Sequence, residues 1–336
     1  MKISILSPVA WRTPPRKYGP WEQVASNIAE GMIERGIDVT LFATGDSITK
    51  GKLESVCDQP YAEDLNVDPK VAECLHISCL MEQADKFDLI HNNFDFLPLS
   101  YSRMIKTPMV TTIHGFSSPK ILPVYKKYNS SGYYVSISNS DRSPELDYIA
   151  TVYNGINPNE FSFRSESDDY LLFFGRIHAE KGVYESIQIA RKSKRKLIIS
   201  GLIQDQEYFD QKVKPFIDDS DIVYVGNSGP DERNKLLGSA FALLHPISFE
   251  EPFGLSVAEA MFCGTPVIAF NRGAMPEIIL DGKTGFLVNT TEEALEAIKN
   301  IRMIDRKYCR EWAISKFSRQ KMIDGYLEVY QKVLSI

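Results

Sequence analysis

Residues 170–200 read YLLFFGRIHAEKGVYESIQIARKSKRKLIIS and contain the arrangement that decides the fold. The apolar run Tyr170–Phe174 is followed by a polar loop, an amphipathic stretch from Val183 to Lys192 and a second apolar run, Lys196–Ser200. Short apolar runs on both sides of a helical pattern are typical of two parallel strands, buried on both faces and joined by a helix. The stretch therefore predicts one strand–helix–strand unit of a parallel sheet.

The same alternation continues along the chain in both directions. Further apolar runs of strand length are Lys2–Ser7, Val39–Phe42, Asp88–His91, Met109–Thr112, Tyr133–Ile137, Ile149–Val152, Ile222–Val225, Phe241–Leu244 and Pro266–Phe270. Further amphipathic stretches are Glu22–Arg35, Pro230–Ala240 and Leu255–Cys263. Strands that alternate with helices from end to end predict an α/β fold built on doubly wound parallel sheets.

The alternation is interrupted at Asn154–Asp169 (NGINPNEFSFRSESDD), a polar stretch with the composition of an interdomain linker. We therefore predict an N-terminal domain at residues 1–157, a linker at 158–169 and a C-terminal domain at 170–316. A last helix is predicted at 317–336, and its return to the N-terminal domain is left open. A chain of 336 residues suffices for two such domains, which we expect to face a central cleft.

Composition argues against several classes of protein. The chain has 38 Lys and Arg against 44 Asp and Glu, and its net charge of −6 disfavours a nucleic-acid partner. Its 5 cysteines lack CxxC spacing, which disfavours a disulfide framework or a zinc site and fits a reducing cytoplasm. All apolar runs are too short to span a membrane. Basic segments at 120–128 and 191–196 leave peripheral contact with an anionic membrane surface open.

Two loops after predicted strands carry residues that suit a ligand, because ligands of parallel sheets bind at the carboxyl ends of strands. In the loop 14–22, Gly19 precedes a helix start, where a glycine lets the backbone approach a ligand and the helix N-terminus favours an anion. In Thr111–Gly115, His114 ends a strand where a substrate would lie. Both features also occur in ordinary loops, so neither identifies a site alone.

A third loop, after Tyr170–Phe174, carries two cations. Arg176 and Lys181 stand close to Gly175 and Gly182, just before a helix. Cationic side chains at a helix N-terminus form an anion clamp, for which a diphosphate is a natural ligand. A solvated helix start without a ligand is the alternative.

The fourth loop, EEPFGLSVAEAM at residues 250–261, is the most informative. If a helix begins near Phe253, Glu251 and Glu259 lie about 12 Å apart along its axis. Carboxylate pairs that act together on one bond stand about 5–9.5 Å apart. The spacing therefore suits a long ligand that is contacted at both ends.

The same stretch offers partners for such a ligand. The amides of Gly254, Leu255 and Ser256 would donate hydrogen bonds to phosphate oxygens at the helix N-terminus. Glu259 lies in an otherwise apolar run, and a buried carboxylate needs a partner. The two hydroxyl groups of a ribose are the partner that we expect.

With these motifs the chain resembles a retaining glycosyltransferase of family 4, with the GT-B architecture of two Rossmann-like domains. The resemblance covers essentially the whole chain, and the Glu251-x7-Glu259 block is its most specific element. The other matching motifs are the glycine loop at Gly19, Thr112–Gly115, Val152–Ile156, Phe174–Arg176, Glu180–Gly182, Pro276–Ile278 and Asp281–Phe286.

The resemblance implies a role for each matched residue of the C-terminal domain. Arg176 and Lys181 would hold the diphosphate of a nucleotide-sugar donor and stabilise its charge as it leaves. Glu259 would bind the ribose hydroxyls, and Glu251 would contact hydroxyls of the transferred sugar. From the N-terminal domain, Gly19 would offer its amide to the phosphates, and His114 would lie beside the donor sugar near the anomeric carbon.

The activity that the resemblance implies is transfer of a hexose from a UDP-glucose or GDP-mannose type of donor to a hydroxyl group. The acceptor would be a sugar, a glycan, a lipid or another small molecule. Transfer would proceed by front-face displacement with retention, without a cofactor or a metal, because Arg and Lys replace the metal of other transferases. Gly19-Pro20 departs from the Gly-Gly of many relatives, and proline cannot donate an amide hydrogen bond.

Other functions remain as alternatives. A nicotinamide dehydrogenase would need G-x-G-x-x-G after a strand, and a P-loop phosphotransferase would need G-x-x-x-x-G-K-[ST]; the sequence has neither. A sugar-nucleotide epimerase of the same architecture is one rival. A nucleotide-sugar-binding protein without turnover is the other.

Overall fold

The computed structural model describes residues 1–64, 66–116 and 118–335. The chain divides into two compact units. Unit 1 comprises residues 1–155 and the segment that begins at Arg319, and unit 2 comprises Ile156–Ser318. The predicted linker 158–169 is part of unit 2, where the amides of Arg164 and Asp168 donate to the carbonyls of Cys263 and Ser239.

Unit 1 contains a parallel sheet of seven strands in the order β3-β2-β1-β4-β5-β6-β7. Its strands are β1 Lys2–Leu6, β2 Asp38–Phe42, β3 Lys52–Glu54, β4 Leu89–Asn92, β5 Met109–Ile113, β6 Tyr133–Ser136 and β7 Tyr148–Thr151. Its first helices are α1 Pro20–Glu34, α2 Pro69–Met81 and α3 Leu122–Tyr128. The central strands β1, β4 and β5 are buried on both faces, as their continuous apolar sequences predict.

Unit 2 contains a parallel sheet of six strands in the order β10-β9-β8-β11-β12-β13. Its strands are β8 Tyr170–Phe174, β9 Lys196–Ser200, β10 Ile222–Tyr224, β11 Ala242–His245, β12 Val267–Phe270 and β13 Gly285–Val288. Its helices are α4 Val183–Ser193, α5 Gln206–Tyr208, α6 Pro230–Ser239, α7 Leu255–Phe262, α8 Met275–Ile278, α9 Thr291–Asn300 and α10 Arg306–Phe317. The predicted α/β fold with doubly wound parallel sheets is confirmed.

The last helix, α11 Arg319–Leu334, belongs to unit 1. It packs closely on α1, since a Cβ atom on Gly31 would lie 2.4 Å from Ile323 Cγ1. Its buried hydroxyl groups also reach the sheet: Tyr326 OH lies 2.8 Å from Thr112 Oγ1, and Tyr330 OH lies 2.7 Å from His91 Nδ1. His91 therefore has a structural role at the end of β4.

The strands predicted from apolar runs are all present, with ends shifted by at most one residue. The edge strands β3 and β13 were not predicted, because β3 is short and exposed and β13 has no long apolar run. None of the described helices combines the length and the apolar character that a membrane crossing requires.

Candidate active site

The strand order places a crevice at the same point in each unit. In unit 1 the order reverses between β1 and β4, and in unit 2 it reverses between β8 and β11. Parallel sheets bind ligands at such switch points, outside the carboxyl ends of the strands. The candidate residues of unit 2 lie in the loops that follow β8 and β11 and in α7, the helix after the second of these loops.

The loops after β8 and β11 meet at a nearly buried ion pair. Lys181 Nζ donates to Glu251 Oε2 at 2.5 Å, and the two side chains are 14% and 11% exposed. The Lys181 ammonium also lies 4.6 Å from the centroid of the Phe249 ring. Gly182 permits this approach of the loops, since at φ +75° a Cβ atom there would lie 2.0 Å from the Pro246 carbonyl oxygen.

His245, the last residue of β11, completes this cluster. Its Nε2 lies 3.4 Å from Glu251 Oε2. Burial lowers the pKa of His245, which favours the neutral imidazole. Burial also opposes ionisation of Glu251, but Lys181 and His245 outweigh it and lower the pKa of Glu251 to about 2. The cluster thus holds an ionised carboxylate against an ammonium group in a poorly hydrated place.

His245 is absent from the residues predicted from the sequence, although a signal for it exists. His114 is a candidate because it is a histidine at the carboxyl end of a predicted strand, and His245 meets the same criterion one residue beyond the predicted run Phe241–Leu244. Because strand ends have a fixed place in a parallel sheet, the amino-acid sequence is enough to mark such histidines as candidates.

Arg176, the second cation of the predicted clamp, lies in a different environment. It follows β8 in the loop 175–178, and its guanidinium donates to Gln204 Oε1. Its side chain is half-buried, and its partner in the structure is an amide, whereas Lys181 pairs with a carboxylate. Arg176 can therefore reach an anion without breaking an ion pair.

The N-terminus of α7 has no side-chain cap. Gly254 precedes the helix at φ +92°, and the helix begins at Leu255, where the predicted amphipathic stretch Leu255–Cys263 also begins. Glu251 consequently precedes the helix, and the estimate of 12 Å along one helix axis does not apply. The amides of Leu255 and Ser256 lie in the first turn, where the helix dipole and uncapped N–H groups favour an anion.

Glu259, one turn further along α7, has a partner within the protein. Its Oε1 accepts from Arg233 Nη1 at 3.2 Å, and the two side chains are 8% and 14% exposed. Burial raises the pKa of Glu259, and the Arg233 guanidinium opposes the shift. Glu259 thus already has a charged partner on α6, which no sequence pattern indicated, and its contact with a ribose stays a prediction.

The candidate residues of unit 1 lie near its switch point. Gly19 precedes α1 at φ +151°, and a Cβ atom there would lie 2.8 Å from Pro15 Cβ and 3.1 Å from Glu22 Oε2. His114 Nε2 lies 3.0 Å from Asn93 Oδ1. The His114 ring stacks on Trp21 with 5.6 Å between ring centroids, and burial lowers its pKa to about 3, which makes it neutral.

The basic segments considered for membrane contact are partly neutralised within their own units. In unit 2, Lys192 pairs with Glu292, and Arg195 pairs with Asp169 and lies 3.9 Å from the centroid of the Phe241 ring. In unit 1, Lys126 pairs with Glu145. The described part of the chain contains no group of three or more His, Cys, Asp or Glu side chains that could hold a metal ion.

Glu22 provides a prediction for stability. Its carboxyl is buried and accepts from the Trp11 amide at 3.2 Å, and burial raises its pKa from 4.5 to about 7. Between pH 4.5 and about pH 7 the Glu22 carboxyl is ionised in the unfolded chain but still protonated in the folded protein. The free energy of unfolding therefore falls as pH rises to about 7. The shift corresponds to about 3 kcal/mol, and Glu22→Gln is expected to remove this loss.

Urea denaturation of unit 1, followed by Trp11 and Trp21 fluorescence in a Trp312→Phe background, measures this effect at pH 5 and pH 8. Glu30→Gln, the same change further along α1, is the control. An equal pH dependence in the wild type and Glu22→Gln would contradict the prediction.

The two sheets define the class of the protein. Each has the Rossmann-type strand order, and together they form the GT-B architecture of glycosyltransferases. The chain is similar to sucrose-phosphate synthase from Thermosynechococcus elongatus, with a TM-score of 0.81 and 17% identity over 100% of this chain and 99% of that one. It is also similar to HepE of Anabaena in complex with UDP-glucose, with a TM-score of 0.73 and 17% identity over 99% and 100% of the two chains.

Sequence similarity points to the same class of protein. Residues 157–319 match the model of the family described as glycosyl transferases group 1. An uncharacterized glycosyltransferase of Methanocaldococcus jannaschii is 26% identical, over 86% of this chain and 85% of the relative. This match confirms the resemblance to glycosyl transferases that the motifs indicated.

Proposed function

We propose that this glycosyltransferase moves a hexose from a nucleoside diphosphate sugar to a hydroxyl acceptor, with retention at the anomeric carbon. The observation that carries the proposal is the Lys181–Glu251 ion pair at the switch point of unit 2. Glu251 lies in the loop that leads into the uncapped N-terminus of α7. A cation, a carboxylate and free amides match the phosphates and the hydroxyl groups of one donor molecule.

Arg176 and Lys181 would bind the diphosphate together with the amides of Leu255 and Ser256, and Gly254 would let it approach. Their charges would stabilise the diphosphate as the bond from its oxygen to the anomeric carbon breaks. Glu251 is ionised and accepts hydrogen bonds only, so it suits hydroxyl groups of the transferred sugar.

The acceptor oxygen would attack from the face that the diphosphate leaves, and its proton would pass to a phosphate oxygen of the leaving group. Atoms and charges balance without a protein nucleophile. Since Arg176 and Lys181 supply the positive charge, we propose that no metal is needed. Transfer that is unchanged in excess EDTA would agree with this, and strict dependence on Mg²⁺ or Mn²⁺ would contradict it.

Unit 1 would bind the acceptor, and its residues Gly19 and His114 would take part in binding the donor. The Gly19 amide would meet the phosphates, while Pro20 has no amide hydrogen to add. The neutral His114 ring, fixed by Asn93 and Trp21, would lie beside the donor sugar. If the acceptor is a lipid, peripheral contact with an anionic membrane follows, and co-sedimentation with anionic vesicles would test it.

HepE of Anabaena, similar in fold, forms complexes with UDP and UDP-glucose. This supports a donor of the UDP-glucose type, and GDP-mannose is the second candidate. A donor screen by thermal shift tests the proposal first, because a ligand that binds the native state raises its stability with the logarithm of its concentration.

NMR of the product then reports the anomeric configuration of the transferred sugar. Retention in a transferred hexose is the expected result, whereas inversion would contradict the mechanism. Epimerised donor without transfer would favour the epimerase, and binding without nucleotide release would favour a non-catalytic protein.

Glu259→Ala is expected to weaken donor binding more than turnover. Its carboxylate would contact the ribose, away from the bond that breaks, so the loss falls on ground-state and transition-state binding alike. Donor KM should rise about 10-fold or more while kcat changes little, as for loss of a hydrogen bond to a charged group. Glu292→Ala, at an exposed ion pair of the same unit, is the control. Unchanged KM and kcat would refute the ribose assignment.

A further inference from the structure

Arg233 of α6 contacts two residues of unit 2, Glu259 and Phe161. Its Nη1 lies 3.2 Å from Glu259 Oε1, and both side chains are nearly buried. The guanidinium carbon also lies 5.2 Å from the centroid of the Phe161 ring, which is itself buried. Arg233 is therefore held between an aromatic face and a carboxylate.

Packing alone does not account for this arginine. A buried ion pair is weak evidence of stabilisation, since apolar residues of similar volume often replace it without loss. In addition, Arg233 Nε is buried and finds no hydrogen-bond partner among the residues that the structure describes. Because the unsatisfied N–H group is a cost to folding, we infer that Arg233 occupies this position for its contact with Glu259.

The two oxygens of Glu259 are not equivalent. Oε1 accepts from Arg233, whereas Oε2 accepts no hydrogen bond from any described residue. An ionised carboxylate only accepts hydrogen bonds, but a protonated one also donates from one oxygen. Burial favours protonation of Glu259, Glu160 adds to that effect, and Arg233 opposes it. The guanidinium therefore opposes the protonation that would turn one carboxyl oxygen of Glu259 into a donor.

We propose that Arg233 is a positioning residue of the nucleotide site, which orients Glu259 through Oε1 so that Oε2 receives a ribose hydroxyl group. The inference rests on the proposed function, because that function gives Glu259 the ribose end of the donor. Arg233 then sets the discrimination between a ribonucleotide and its deoxy analogues without itself acting on the reacting bond.

The test is a double-mutant cycle of Arg233→Met and Glu259→Gln. Isothermal titration measures binding of UDP or GDP, whichever the wild type binds, and of the 2′-deoxy and 3′-deoxy analogues. Arg233→Met is expected to weaken nucleotide binding about 30-fold or more, as for truncation of one partner of a buried charge pair. It should raise donor KM, leave kcat within a few-fold and reduce the preference for the ribonucleotide.

In the Glu259→Gln background, Arg233→Met is expected to cost far less, because it acts through the carboxylate. Arg233→Lys should recover part of the affinity, and Lys235→Met, an exposed charge on the same helix, should change nothing. If Arg233→Met does not fold, Arg233→Gln takes its place in the cycle.

Additive losses in the cycle, or an unchanged preference for the ribonucleotide, would overturn the role of Arg233. A wild-type protein that binds neither UDP nor GDP would instead contradict the proposed function. The two failures are therefore distinguishable in the same set of measurements.

Discussion

Lys181→Ala is expected to lower kcat at least about 100-fold, the loss found when one preorganised group that stabilises transition-state charge is removed. The same change leaves Glu251 nearly buried without its cation. Loss of one partner of a buried ion pair costs about 3–5 kcal/mol, so the free energy of unfolding should fall as well. Steady-state kinetics and urea denaturation measure the two effects separately.

A second substitution separates catalysis from stability at this position. In Lys181→Ala/Glu251→Gln no uncompensated charge remains, so much of the stability should return while the rate stays low. Lys192→Ala is the control, because Lys192 pairs with Glu292 at 2.9 Å but with side chains that are 48% and 69% exposed. Near-normal kcat in a folded Lys181→Ala protein would contradict the proposal that Lys181 binds the diphosphate.

Arg176→Ala is expected to lower kcat by a similar factor, about 100-fold or more, with the stability unchanged. Arg176 is half-buried and donates to an amide oxygen, Gln204 Oε1, so its removal leaves no buried charge behind. A hydrogen bond at such a partly exposed place contributes little to folding. The ratio of kcat values and the midpoint of thermal unfolding give the two results.

Gln204→Ala is the matched control for Arg176→Ala, because it removes the observed hydrogen bond and keeps the charge. It should alter the rate only a few-fold. If Gln204→Ala lowered the rate as much as Arg176→Ala, the guanidinium would act through its place in the loop, and its charge on the donor would no longer be the explanation.

Most of the fold and much of the candidate site can be read from the sequence, since both depend on local patterns. The run YLLFF at 170–174 is buried in any parallel sheet, and the glycines, cations and acids that follow such runs mark strand ends. Gly182 and Gly254 both have positive φ values, a conformation that glycine adopts without steric cost. Arg176, Lys181 and Glu251 lie in these loops as predicted.

The start of α7 shows why other parts escaped prediction. The predicted stretch Leu255–Cys263 matches the helix, but the sequence did not show that Glu251 lies outside it, because only the structure shows Gly254 at φ +92° between the two. The edge strand β3 was missed for a related reason: its residues Lys52–Glu54 are held by pairing with β2, and their own composition does not favour a strand.

The amino-acid order by itself determined which residue types stand at the ends of strands, because a period of hydrophobicity and the position of a glycine are properties of neighbours along the chain. Only the tertiary structure decided which charges meet. Lys181 is joined to Glu251 across 70 residues, and Arg233 to Glu259 across 26. Strand order brings these side chains together, and burial makes it costly to leave either charge unpaired. Neither strand order nor burial can be read from a local sequence pattern.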